Sequence, residues 1–399
     1  MKALRKVLAF TMAVLMILSL CACSKEASVP KTLTREWSYK TDAQEYAIGV
    51  YIYSLYSAFD KAYGVVQNAK GEDFDSEASI LDYEGTFDET DEVYLCSDWI
   101  KLEADRITKN LIALDEKIRE FGIELDADVL AAYKEQAEKD WHLGPYYEDS
   151  MSYYGYGLYP PYKDVYEPLG ISFDSYYLST YLAAAKQNAL FDYFYKKDGV
   201  KAVTDEELSK FFENEYLSYS YFSIPLYEAT QDETTLETVN VSFSEDKIKE
   251  TKAMLDSYVK AIESGTSFDN VVKLYMSFKG ITANPSVSNV ENKENISTSV
   301  GAEVADKLSK LADGKADFVI VGEGDSRTAF FVYKKAITSE TKEYIANEVN
   351  YTSLLQDMKN EEFLEYVEGL TDTVNPEKNT EITDKYDLKV FEKKSEEQK

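Results

Sequence analysis

Apolar residues recur at helical spacing through the first half of the chain, and a strand-like alternation then takes over. From Asp42 to about Gln67, Ala, Tyr, Leu and Phe are so dense that the segment reads as one long helix, buried over much of its surface. Ile100, Ala104, Ile107, Leu111, Leu114, Ile118 and Phe121 are spaced alternately four and three apart, with Ser97 as the expected cap and Gly122 as the stop. This seam predicts packing against neighbouring helices, with a coiled-coil dimer as the alternative. A shorter helix is expected over Asp126–Lys139 and another over Phe173–Lys197. Thr204 and Glu207 then form a capping box, with Val203 placed to staple onto Leu208, and that helix runs to about Tyr216.

The pattern changes at Ser218–Leu226, Ser-Tyr-Ser-Tyr-Phe-Ser-Ile-Pro-Leu, which reads as a strand. Glu228–Val239 reads as a polar, acidic loop. Phe243-Ser244 starts a helix that ends at Ser264-Gly265, and Phe268–Tyr275 is a second one. Gly280–Ser299 reads as a loop and Val300–Leu311 as a helix. Two alternating strands follow, Phe318–Val321 and Thr328–Lys334, joined by Gly322-Glu323-Gly324-Asp325. Glu340–Leu370 is again helical and amphipathic, so it needs a partner surface, and the helical region before residue 216 is the expected one. Beyond it lies a polar tail with a last strand at Tyr386–Phe391. The expected class is α+β: a mainly helical domain, an inserted compact α+β unit, and a helix that returns.

Composition narrows the partners. The chain has 399 residues with 43 basic against 73 acidic ones, a net charge of −30. A phosphate backbone needs a basic footprint, so nucleic acid is excluded as a partner. With 44% hydrophobic residues and 33 tyrosines, the chain is rich enough for two folded cores. Lys2, Arg5 and Lys6 precede the apolar run Leu8–Leu20, which is short for a membrane span. Leu20-Cys21-Ala22-Cys23 follows and resembles the bacterial lipobox, which implies diacylglycerol on Cys23; a plain secretory peptide is the alternative reading. One acyl chain alone binds a membrane marginally, and the resemblance implies a second. Apart from Cys21 and Cys23 the chain has Cys96 only, so no disulfide between folded parts is expected.

Candidate chemistry is sparse. Asp73, Asp75 and Glu77 lack the glycine of a calcium-binding loop, so no metal is expected, and nothing implies a cofactor. His142, the single histidine, has no partner acid or nucleophile near it in sequence. Trp141–Gly170 sets tyrosines among glycines and prolines, Tyr153, Tyr154, Tyr156 and Tyr159 at its centre. It reads as a loop, either packed over the helices or presented as an adaptable aromatic surface.

Taken in order, these segments resemble the extracytoplasmic foldases of the SurA/PrsA type. The resemblance covers about Val203–Gly369. It rests on Val203-Thr204-Asp205-Glu206-Glu207-Leu208, Ser264-Gly265-Thr266-Ser267-Phe268, Leu311-Ala312-Asp313-Gly314-Lys315 with its two strands, and Met358-Lys359-Asn360-Glu361-Glu362-Phe363. It implies a signal peptide over 1–22, a tether over 23–35 and a helical domain over 36–215. A parvulin-like peptidyl-prolyl isomerase domain would occupy 216–337, the returning helix 338–372, packed on the helical domain, and the tail 373–399. The family's two strand histidines are missing: Tyr221 stands at the first position, and Phe330 or Phe331 at the second. Twisting a prolyl amide must lower a barrier of about 18–20 kcal/mol, and phenylalanine supplies no hydrogen bond for it. The expectation is therefore a lipid-anchored, extracytoplasmic chaperone of the bacterial cell envelope that binds unfolded or newly exported polypeptides, with isomerase activity lost. Tyr221, Phe222, Phe330 and Phe331 are the expected client contacts, with the tyrosine-rich loop as a second. An active isomerase and a glycan- or solute-binding lipoprotein are the alternatives.

Overall fold

The computed structural model describes residues 36–145, 160–231 and 238–392. Cys23, the tether and Tyr153, Tyr154, Tyr156 and Tyr159 lie outside them. The chain divides into two compact units, one running to Ala202 and resuming at Lys359, the other Val203–Met358.

The first unit opens with two short strands, β1 (Trp37–Lys40) and β2 (Glu45–Ala47), and then α1 (Ile48–Lys70). The helix begins later than Asp42 because the residues before Ile48 find antiparallel ladder partners instead. Every residue from Ile48 to Tyr56 is buried, which makes α1 the axis of this unit. A small pair of strands follows, β3 (Glu84–Gly85) and β4 (Tyr94–Leu95). Helix α2 (Cys96–Glu120) lies along α1, and the Thr108 hydroxyl donates to Ser54 Oγ at 2.9 Å. Leu95, not Ser97, is its N-cap, and no side chain caps it; pairing of β4 sets its start. Ile107 and Leu111 of the expected seam are half-buried, while Thr108, Ile112 and Ala113 complete the buried face. Helix α3 (Ala127–Leu143) is capped by Asp126, which accepts from the amides of Asp128 and Val129. Exposed His142 sits in its last turn. Then come α4 (Tyr162–Tyr166), α5 (Phe173–Tyr177), a π turn over Leu178–Leu182, and α6 (Ala183–Tyr195). A side chain at Gly49 would lie 2.5 Å from the Ser175 hydroxyl, so glycine is what lets α1 and α5 approach.

Part of the expected tyrosine loop is core. Tyr166 of α4 is 2% exposed, and its ring lies 5.7 Å from both Tyr53 and Tyr56 and 5.6 Å from Tyr176. Buried phenols need acceptors, and carboxylates supply them. Tyr39 donates to Asp105 (2.7 Å), Tyr46 to Asp115 (2.9 Å), and Tyr181 to Asp140. Burial, and then the neighbouring carboxylates, push the Tyr39 and Tyr46 phenols well above their usual range; burial alone dominates at Tyr53, pushed up to about 12. These groups stay protonated in the fold, whereas in the unfolded chain they ionise near pH 10.0. Their contribution is therefore complete below about pH 10 and is lost above it. We expect phenolate absorbance to stay incomplete while the helices are intact, the buried fraction appearing only together with the loss of helical circular dichroism above about pH 10. Complete phenolate ionisation with the helices intact would contradict this arrangement.

The second unit begins with α7 (Asp205–Glu215), where both bonds of the Thr204–Glu207 capping box are made. It leads into β5 (Tyr216–Pro225), then the hairpin of β6 (Tyr227–Gln231) and β7 (Thr238–Ser242). Of the expected acidic loop at Glu228–Val239, the described residues 228–231 and 238–239 are strand, and 232–237 lie outside the described residues. Both strands of the hairpin are exposed, so they carry no apolar alternation to read. Helices α8 (Glu245–Glu263) and α9 (Phe268–Lys279) follow, capped by Ser244 and Ser267. Next is β8 (Val287–Asn292), inside the expected Gly280–Ser299 loop: a polar segment made strand by its ladder with β5. Helices α10 (Ile296–Val300) and α11 (Ala302–Lys310) are separated at Gly301, whose φ of 87° ends the first. Strands β9 (Ala316–Val321) and β10 (Thr328–Lys335) complete an antiparallel sheet of order β8-β5-β10-β9.

Helix α12 (Thr341–Ala346) and the longer α13 (Glu348–Gly369) replace the single helix expected over Glu340–Leu370. The unit boundaries fall at Val203 and Met358, outside the expected 216 and 337. The reason is local: Phe212 stacks on Tyr344 at 4.4 Å, and the Thr341 hydroxyl donates to Glu213 at 3.0 Å. From Lys359 onward α13 belongs to the first unit, where Phe363 meets Phe191 at 5.2 Å and Tyr195 donates to Glu362 at 3.1 Å. The tail is not a polar appendage. Strand β11 (Glu377–Lys378) pairs with β1, and α14 (Thr380–Thr383) follows. The expected strand at Tyr386–Phe391 is a 3-10 turn over Leu388–Val390, with Tyr386 donating to the Leu169 carbonyl at 2.9 Å. Phe391 lies 5.6 Å from Tyr56 and 5.5 Å from Phe59. Among the described residues no helix is long and apolar enough to cross a membrane.

Candidate functional site

Alternation along β5 sends neighbouring side chains to opposite faces of the sheet. Phe222 and Ile224, with Phe331 and Ala329 of β10, enter one core, beneath residues of α8 and α9. Leu217, Tyr219 and Tyr221, with Phe330 and Val332, lie on the other face, towards α10 and α11. The four expected client contacts therefore do not share a surface.

Phe222 and Phe331 are 0% exposed, 5.2 Å apart, and Phe222 also lies 4.8 Å from Tyr275. They are core residues and offer nothing to a client. Tyr221 and Phe330 are half-buried, with ring centroids 5.9 Å apart and planes at 41°. The register sets Val332 opposite Tyr221 and Ser223 opposite Phe330, so Phe330, not Phe331, shares a face with Tyr221.

Helices α10 and α11 cover only one end of this face. Leu217, Tyr219 and Val332 are buried there. At the other end Val319 and Val321 of β9 are half-buried, Ser223 is exposed, and Val287, opposite Tyr221 on β8, is 41% exposed. Sequence reading missed Val319, Val321, Ser223 and Val287. The signal was available for the β9 pair, because residues of one parity on paired strands line one face. Tyr219 anchors the patch: its hydroxyl donates to Glu291 at 2.7 Å and accepts from Asn289 at 3.2 Å. Burial, and next Glu291 against the opposing bond from Asn289, leaves its phenol above the usual range. At the margin Lys307 pairs with Asp317 at 2.7 Å.

The result is a shallow, aromatic and aliphatic surface with hydroxyls at Tyr221, Ser223 and Thr328. It can hold apolar side chains and hydrogen-bond a backbone. Its facing pair of rings carries one polar atom, the Tyr221 hydroxyl. A second concavity, an open groove of about 370 Å³ in the first unit, is lined by Phe121 and Tyr193, stacked at 4.9 Å. Of its three acids, Glu124, Asp126 and Asp192, the second is engaged as the α3 cap and the third with Lys196. The described residues contain no group of three or more His, Cys, Asp or Glu placed to hold a metal ion.

No protein-family model matches this chain, and no curated protein does. Among solved structures it is similar to the crystal structure of foldase protein PrsA from Streptococcus pneumoniae, at 14% identity over 78% of this chain and 100% of that one. The TM-score is 0.32, which does not establish a common fold.

Proposed function

We propose that this chain is a lipid-anchored, extracytoplasmic chaperone-like protein that binds unfolded polypeptide segments on the open half of its second unit's sheet. The observation that carries the reading is the Tyr221–Phe330 pair, half-buried on one face and flanked by Val319 and Val321. An aromatic patch that helices cover at one end only, with its neighbouring acids Glu291 and Asp317 already engaged by Tyr219 and Lys307, suits reversible capture of apolar side chains. Prolyl isomerisation is assigned no role, since the Phe330 ring cannot support the hydrogen bonds that a twisted amide requires. Cys23 is the anchor in this reading, on the strength of the lipobox-like Leu20-Cys21-Ala22-Cys23. Such a tether keeps the binding surface concentrated near the membrane.

The test uses the lipid-free chain from Ser24 onward and a basic protein kept unfolded by blocking its reduced cysteines. The unfolded probe is expected to bind and its native form is not. Replacing Tyr221 and Phe330 together with serine is expected to weaken binding by about tenfold or more. Equal affinity for native and unfolded forms, or an unaltered double variant, would show the reading to be wrong.

A further inference from the structure

Strand β9 has one neighbour in its sheet, β10, and its other edge meets no described strand. Its backbone alternation can be fixed from one bond. Lys334 N–H donates to the Lys315 carbonyl at 2.9 Å, and the register continues Val332 opposite Asp317, Phe330 opposite Val319 and Thr328 opposite Val321. Asp317, Val319 and Val321 therefore turn their amides and carbonyls towards β10, while Ala316, Phe318 and Ile320 turn theirs outward. The Phe318 amide is taken by Asp317 Oδ1 at 2.8 Å. The amide and carbonyl of Ile320 have no hydrogen-bond partner among the described residues.

Exposed edges of native sheets are usually guarded by lysine, proline, a bulge or an inward charge. Phe318-Val319-Ile320-Val321 has none of these, and Asp317, which precedes it, is paired with Lys307. An open strand edge is complementary to one backbone geometry, that of another extended chain. Val319 and Val321 also share the face of Phe330. A strand added here would continue that face with every second side chain. Charge selects among extended chains. Glu323 and Asp325 are exposed just beyond the strand, and a second copy would bring a further −30 to an already acidic protein.

We propose that the outer edge of β9, Phe318–Val321, binds an extended, net-basic polypeptide segment by strand addition, a mode that rests on the polypeptide-binding reading above. Its amide and carbonyl contacts centre on Ile320, and Val319, Val321 and Phe330 receive the alternate side chains.

The test again uses the chain from Ser24 onward, now with an end-blocked peptide of alternating valine and lysine. Two further versions carry N-methyl groups, one on the valine amides and the other on the lysine amides. Only one set of amides can face β9, so one methylated version is expected to lose about tenfold or more in affinity and the other to keep it. Hydrogen exchange at the Ile320 amide is expected to slow by about tenfold on binding, with Val319 and Val321 unchanged. If the blocked unfolded protein binds but the peptide does not, or if methylation and Ile320 exchange show no effect, the edge assignment is overturned and the aromatic face stands. Failure of both probes to bind overturns both. Equal binding of a valine–glutamate peptide removes the preference for basic segments. A concentration-dependent dimer that protects Ile320 without peptide would put a second copy on the edge instead.

Discussion

Replacing Phe331 with alanine is expected to destabilise the second unit by about 3–5 kcal/mol, while the same change at Phe330 costs roughly 1 kcal/mol. The two residues are adjacent and chemically identical, and the sheet separates them. Phe331 is 0% exposed, with Phe222 at 5.2 Å, Tyr258 at 6.1 Å and Phe268 at 6.3 Å around its ring. Its removal leaves a cavity between β10 and the two covering helices that packed neighbours can only partly fill. Phe330 is half-buried at an open margin, so its loss removes contacts and leaves no enclosed void. Because the chain has two units, a single melting temperature would mix them. Amide exchange of β5 and β10 under native conditions reads the second unit alone. Similar losses for the two variants would mean that the strand register described here is wrong. The same pair separates stability from binding, since only the Phe330 change is expected to weaken capture of unfolded polypeptide.

The other large effect is expected at Asp115→Ala. This carboxylate, 8% exposed, accepts from Gln44 Nε2 at 2.7 Å and Tyr46 Oη at 2.9 Å, and it pairs with Lys186. Removing it leaves a phenol without its acceptor and an ammonium, with 14% of its side chain exposed, without a counter-charge. Breaking one side of a buried pair costs about 3–5 kcal/mol, chiefly through the charge left behind. The double variant Asp115→Ala, Lys186→Met is expected to recover part of that loss, and amide exchange of α1 and α2 measures both. If the double variant is no more stable than the single one, the Lys186 charge is not what makes the loss large.

Much of the helical framework was legible because helix ends are written locally. Thr204 with Glu207, Ser244, Ser267 and Asp126 each serve as caps within three residues of the amide they accept from. Strand β5 and the β9–β10 hairpin were legible through their alternation. What escaped was structure whose cause lies far away in the chain. Strand β1 is too short to show a period and pairs with β2 and with β11 near the other end. Polar β8 is a strand only because β5 lies beside it. The tail reads as polar by composition, yet Tyr386, Leu388 and Phe391 are core residues. The candidate site was half legible. Its strands were located, but Phe222 and Phe331 were grouped with Tyr221 and Phe330 although adjacent strand residues face opposite ways. The large acidic excess, read from composition only as excluding nucleic acid, also has a structural use, because Asp105, Asp115 and Asp140 serve as acceptors for buried and half-buried phenols.

The interleaving of the two units has a consequence in time. Val203–Met358 is one uninterrupted stretch and can close as soon as its last residue is available. The first unit cannot. Its β1 edge waits for Glu377 and Lys378, and the α1 surface around Tyr56 and Phe59 waits for Phe391. A chain emerging N-terminus first therefore passes through an interval in which the part of its central helix around Tyr56 and Phe59 lacks the aromatic cover of Phe391. Through that interval the protein is itself an unfinished polypeptide, waiting on a segment more than 300 residues downstream of the helix it covers.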